Sequence, residues 1–195
     1  MKGSNAWLNS VLFKYGIEGL QQVLKQLLAE AGAAVPEGIE KTFATVRRYH
    51  YLDVKGQSII NFFKGTHASA QTNLNSSWQP GQGEHQIITQ LQLLDADNTT
   101  ATAGSVPFTQ GIDNAQLLDS RLTIVNNGIV EINQAPLAEF VGVLEDSASG
   151  ILDLEIPIIW KGQTELTVRI DCPTAPTAIN NVFMMAITKG FGTTS

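Results

Sequence analysis

The sequence holds one cysteine, Cys172, among 195 residues. An intrachain disulfide is therefore excluded, and so is a zinc site built from several thiolates. Charge is scarce too: 15% of residues are charged, against roughly 25% in an ordinary soluble domain. Twelve are basic and 18 acidic, a net charge of −6. That balance speaks against a domain that holds nucleic acid by neutralising many phosphates. The only adjacent basic pair is Arg47-Arg48. No apolar run approaches the roughly 18 residues of a membrane-spanning helix. The run at 6–13 is broken by Asn9 and Ser10, so it lacks the continuous apolar centre of a secretory signal, and synthesis in the cytoplasm is the expectation. A chain so poor in charge suits a surface largely covered by other chains.

At roughly 150 residues per domain, the length fits one domain with some to spare. The grain changes near Pro36, which divides a helical arm, 1–35, from a β domain, 36–195. In the arm, Ile17, Leu20, Val23, Leu24, Leu27, Leu28 and Ala31 recur at steps of three and four, the stripe of an amphipathic helix. Gly32 and then Pro36 stop it. A second short helix is expected over 4–15, with Trp7, Leu8, Val11 and Leu12 on one side and Gly16 as the break. Beyond Pro36, Leu166, Val168 and Ile170 alternate with Thr167 and Arg169, a strand with one dry face. Residues 152–160 alternate likewise, and Pro157 places that strand at an edge or a bulge. Asn127-Gly128 between apolar runs predicts a hairpin. Further strands are expected at 42–54, 58–64, 85–94, 106–109 and 182–188, the last apolar on both faces and therefore central. Residues 95–105 and 171–181 read as long loops. About eight antiparallel strands with turn punctuation predict a mainly β fold, a single jelly-roll sandwich, with an N-terminal amphipathic helical segment.

The chain is thin in catalytic pattern. It has no G-x-S-x-G elbow, no H-E-x-x-H and no phosphate-binding loop signature. Gly81-Gln82-Gly83 lacks the third glycine of a dinucleotide loop and precedes a strand, so it reads as a tight turn. His50, His67 and His85 fall in different segments, and ordinary structural histidines are the expectation over a shared metal. Asp95, Asp97 and Asn98 open like a calcium loop but lack its glycine and its closing glutamate, so they read as turn carboxylates. Cys172 has no nearby cation to activate it and reads as a buried or loop thiol. No catalytic residue, metal ligand or cofactor is expected.

Two features point to contacts. The stripe formed by Trp7, Leu8, Val11, Leu12, Leu20, Leu24, Leu27 and Leu28 packs on the chain's own sandwich or on a neighbouring copy, or, with Lys2 and Lys14 at headgroups, contacts a membrane. Trp78, in a turn, is a platform on which a sugar could stack.

A series of short phrases follows one order along the β region: Ile60-Asn61-Phe62-Phe63, Thr72-Asn73-Leu74, Gln79-Pro80-Gly81-Gln82, Gln86-Ile87-Ile88-Thr89, Pro157-Ile158, Glu165-Leu166-Thr167-Val168, Asn180-Asn181-Val182-Phe183 and Ile187-Thr188-Lys189-Gly190. Over 42–190 this order resembles the jelly-roll virion proteins of tailless icosahedral bacteriophages, including the small single-stranded DNA phages, some of which enclose a membrane. The resemblance implies a non-enzymatic structural role: a shell or vertex (penton) subunit, made in the host cytoplasm, that joins copies of itself and other virion proteins in an icosahedral capsid. The arm carries no basic cluster, so strong direct binding of nucleic acid is not expected. That leaves room for another virion protein or an internal membrane beneath the shell. The alternative on the same fold is a lectin-like or receptor-binding module of a phage.

Overall fold

A computed structural model of the chain describes residues 19, 21–33, 43–64, 71–74, 79–102, 104–108, 111–140 and 150–193. Eight strands form: β1 (Phe43–Asp53), β2 (Ile59–Phe62), β3 (Gln86–Thr99), β4 (Arg121–Asn126), β5 (Ile129–Pro136), β6 (Ile151–Trp160), β7 (Leu166–Asp171) and β8 (Asn181–Thr193). They make two four-stranded antiparallel sheets. Sheet A has the order β1-β8-β3-β6 and sheet B the order β2-β7-β4-β5. The fold is therefore a mainly β sandwich, as the alternation and turn signals predict.

The pairing is nested. β1 pairs with β8, β2 with β7, β3 with β6 and β4 with β5. The chain runs out and back as one long hairpin that turns at Asn127-Gly128, both with positive φ (50° and 82°), as a two-residue hairpin loop requires. Two further pairings, β3·β8 and β4·β7, roll that hairpin into sheets. Six of the seven connections cross between sheets, and only the β4–β5 turn stays within one.

The inner faces supply the core. Val168, Ile170, Leu122 and Phe62 of sheet B meet Leu91, Leu93, Met184 and Trp160 of sheet A, all buried. β8 is buried on both faces along most of its length and lies between β1 and β3, the central place its two-sided apolarity predicts. β6 lies at the edge of sheet A, and its register slips where Ile158 pairs with Ile88 but Asp153 pairs with Gln90. The residues between them bulge around Pro157, so the proline sits both at an edge and at a bulge. Glycine is required at Gly190, where a Cβ would run into the Ile87 carbonyl of the neighbouring strand.

Helix α1 (residues 21–30) lies on the outer face of sheet A, where Leu24 and Leu28 pack with Ile87, Ile159 and Phe191. Its C-terminus closes as the Gly32 signal predicts. Gly32, at φ 68°, donates to the Ala29 carbonyl and Ala33 to that of Leu28 (both 2.9 Å), a Schellman cap with Ala33 seated in the same apolar cluster as Leu28. α2 (Ala115–Leu118) is a single turn capped by Asn114, and Leu137–Phe140 is a 3-10 turn. Among the described residues no helix is long and apolar enough to cross a membrane.

Two segments differ from the sequence expectation. Residues 95–99, read as loop, continue β3. Residues 106–108, read as strand, form none: Val106 and Phe108 lie instead across the outer face of sheet A, with Tyr51, Phe183 and Ala96. Alternate apolar residues suit a chain lying on a face as well as they suit a ladder.

Candidate functional site

The outer face of sheet A carries a band of apolar and aromatic side chains. Side chains at every second position of β1 and β8 project from it: Tyr49 and Tyr51 on one strand, Phe183, Met185, Ile187 and Phe191 on its partner, with Tyr51 opposite Met185 and Tyr49 opposite Ile187. α1 covers one end of this face, at Phe191, Ile87 and Ile159. The segment from Gly104 to Phe108 covers the other. A turn shapes that segment, with the Ser105 N–H donating to the Thr102 carbonyl (3.0 Å) and Gly104 at φ 100°. Phe108 meets Tyr51 edge-on at 6.0 Å between ring centroids. A cleft of about 380 Å³ remains, lined by Tyr49, Tyr51, Gly104, Val106, Phe108 and Met185.

Arg47 and Lys189 face each other across β1 and β8 on this same surface. Partial burial pushes the Lys189 ammonium below its ordinary pKa, and the Arg47 charge adds to the effect. The Arg47-Arg48 pair divides between the two faces, as neighbours on a strand must. Arg48 points inward, its Nη2 on the Glu84 carboxylate at 2.9 Å and its guanidinium 6.0 Å from the Trp160 ring centre. Beside it Gln86 is fully buried, donating to the Val46 carbonyl (3.1 Å) and accepting from Thr188 Oγ1 (3.0 Å).

Several of the residues whose types suggested chemistry hold other parts of the chain. His50 is buried and its Nδ1 accepts the Phe63 N–H at 2.8 Å. His85 Nδ1 accepts the Gly162 N–H at 3.0 Å. Asp95 is not a turn carboxylate: it is buried in the sandwich, and its Oδ2 accepts the N–H groups of Asp113 (3.1 Å) and Asn114 (2.8 Å), anchoring the chain that leads into α2. Asn98 Oδ1 accepts the Asn180 N–H at 3.1 Å. Among the described residues no three of His, Cys, Asp and Glu are grouped to hold a metal. Cys172 is buried, and desolvation pushes its thiol up from the ordinary value, with Asp171 adding and Ser120 opposing. Gly81 and Gly83 form the expected turn into β3, closed by the Glu84 N–H on the Gly81 carbonyl (3.0 Å).

The contact stripe needs a correction. Leu24 and Leu28 are 1% and 0% exposed, spent on the chain's own sheet, so they offer nothing to a neighbour or a lipid. Leu27 is half-buried. Trp7, Leu8, Val11, Leu12 and Leu20 lie outside the described residues, as do His67 and Trp78.

The four connections at one end of the sandwich are tied together. The Gly56 N–H donates to the Pro176 carbonyl (2.8 Å) and Lys55 Nζ to that of Ile179 (3.1 Å). Gln116 Oε1 accepts the Thr177 N–H (2.6 Å), and the Ile112 N–H reaches the Phe140 carbonyl (3.3 Å). This cross-bonded end was invisible in the sequence, because each partner lies far away along the chain.

Comparison with protein-family models, curated proteins and solved structures returns no match to this chain.

Proposed function

We propose that the chain is a virion structural protein, a shell or vertex subunit whose sandwich is a jelly roll and whose copies build an icosahedral particle. The observation that carries this reading is the nested pairing, β1 with β8 through β4 with β5, rolled into two four-stranded sheets. Such nesting supports a double-sheet jelly roll, a scaffold used by capsid and lectin domains alike. Fold alone does not separate those roles. The shell reading draws further support from the low charge and from the cross-bonded end, a firm surface for repeated contacts between copies. The role proposed is non-enzymatic and uses no cofactor. Its partners are further copies, other virion proteins and an internal membrane where the virion has one. The lectin-like or receptor-binding alternative rests on Trp78 and has no support among the described residues.

Light scattering after size-exclusion chromatography tests the proposal. A particle of megadalton mass, near a multiple of sixty chains, is the expected result for a shell subunit, and a stable pentamer for a vertex subunit. A trimer favours the receptor-binding module. A monomer of 21.0 kDa that stays monomeric when the other virion proteins are added overturns the shell reading.

A further inference from the structure

Two cations stand side by side next to an aromatic cleft. Arg47 on β1 and Lys189 on β8 are register partners, and the next pairs along the same face are Tyr49 with Ile187 and Tyr51 with Met185. Tyr49, Tyr51 and Met185 line the cleft of about 380 Å³. We propose that the cleft and the cation pair form one binding site for a small aromatic anion. Its ring system lies between Tyr49, Tyr51, Phe108 and Met185, and its carboxylate, sulfonate or phosphate group meets Arg47 and Lys189.

Placement is the first argument. The β1–β8 register is unbroken from Phe43 to Asp53. Arg48 and His50 are buried on the inner side, so Arg47, Tyr49 and Tyr51 share the outer one. Same-face neighbours on a strand follow at about 7 Å, twice the roughly 3.3 Å rise per residue. An anionic group attached to a ring in the cleft therefore reaches the cations. The cleft volume falls in the usual range for small-ligand sites, about 300–1,000 Å³.

Charge is the second. Like charges directly opposite each other destabilise a strand pair, and among the described residues no carboxylate is ion-paired with either cation. Beyond Lys189 the row continues with Gln90 of β3 and Asp153 of β6. The Gln90 amide donates to Asp153 Oδ1 at 2.7 Å, so the carboxylate of this row is held two strands away from Lys189. Lys189 is half-buried, and burial and the Arg47 charge both hold its pKa down. An anion touching both groups removes that penalty, an advantage no neutral ring has. The third argument concerns the body of the ligand. The rings of Tyr51 and Phe108, edge-on at 6.0 Å, present the edges and faces against which a further aromatic ring packs. The site is independent of the shell reading, and its failure would leave that reading untouched.

The test uses the full chain and two fluorescent probes of similar shape. Anilinonaphthalene sulfonate is an aromatic anion, and phenylnaphthylamine is the same ring system without the sulfonate. The sulfonate probe is expected to bind saturably, one per chain. Arg47→Gln and Lys189→Gln should each weaken it at least ~10-fold, the effect of losing a charged hydrogen-bond donor, and should leave the neutral probe unchanged. Lys189→Arg, which keeps the charge, should retain the sulfonate probe. Phe108→Ala removes a cleft wall and should weaken both probes. Circular dichroism melting of each variant checks that it is folded. Unsaturable binding, or equal affinity of the sulfonate probe for the wild type and both glutamine variants, overturns the proposal, because the dye then lies on exposed apolar surface only. Equal loss of both probes in the glutamine variants, or undiminished binding to Phe108→Ala, overturns it as well.

Discussion

The two sheets share one interior but differ on their outer faces. Sheet B shows water a mixed surface, polar along β7 but with Ile59 of β2 and Ile129 and Val130 of β5 exposed. On β7, Thr167, Arg169 and Asp171 face out while Leu166, Val168 and Ile170 are buried, and Arg169 bridges Asp171 beside it. Sheet A shows Tyr49, Tyr51, Met185, Ile187 and Phe191, and relies on α1 and the 104–108 segment to cover them. The difference teaches where contacts belong. A wet face needs no partner, whereas an apolar face is stable only when something lies on it. Among the described residues, the accessory segments α1 and 104–108 collect on sheet A, over its aromatic band.

Substitutions can break or sharpen that contrast. The largest effect is expected from β7 itself. Val168→Asp buries an unpaired charge at a fully buried site, at a cost of several kcal/mol against a usual total of roughly 5–15, and the soluble yield and the cooperative transition in circular dichroism should be lost. Its neighbour Thr167→Asp, on the wet face, should stay within about 0.5 kcal/mol. Equal damage at the two positions would refute the assignment of faces. Next comes Asp95→Ala, which strips two backbone N–H groups of their acceptor and should cost about 3 kcal/mol in urea unfolding. Leu28→Ala should cost about 2 kcal/mol, because it removes the cover of sheet A and not its interior. If Leu28→Ala changes only assembly and not monomer stability, α1 does not belong to the domain. Deleting 1–35 should follow Leu28→Ala: it exposes Ile87, Ile159 and Phe191, so a less stable sandwich is expected, not an untouched one that merely fails to assemble.

The smallest effect concerns charge. Lys189→Gln relieves the like-charge pair with Arg47 and should stabilise the fold at neutral pH by about 0.5 kcal/mol after solvent screening. The folded-state pKa of Lys189 lies below 10.5, so below both values the penalty is fully felt. As pH rises from the folded value to 10.5, the unfolded chain binds more protons and native stability rises. The variant should lack this alkaline gain, which thermal unfolding between neutral and alkaline pH measures.

What could be read in the sequence followed from periodicity and turn chemistry. β7 showed its faces by strict alternation, β8 its central place by lack of alternation, and β6 its edge by Pro157. The Asn127-Gly128 hairpin and the Gly32 cap were legible because each depends on backbone angles that few residues adopt. The misreadings share another cause. Asp95 looks like a loop residue until the backbone of Asp113 and Asn114 supplies its partners. Val106 and Phe108 look like a strand until Tyr51 and Phe183 supply a face. Leu24 and Leu28 suit the chain's own sheet and a neighbour's alike until Ile87 and Phe191 claim them. Each required knowing what lies across space, and so did the cleft, whose walls come from β1, β8 and a connecting segment.

The nested pairing also governs time. β8 follows every other strand, yet it is the partner of β1 and one of the two partners of β3. While β8 is still to be synthesised, β1 has no ladder and sheet A has no centre. The pairing of Phe43 with Thr193 then joins residues 150 positions apart, and closing so long a loop before any contact rewards it makes for slow folding. Strand β1 must therefore wait without a ladder beside the ribosome, and β3 has only β6 to pair with. In that interval the apolar strands of sheet A are the segments a chaperone would have to shield.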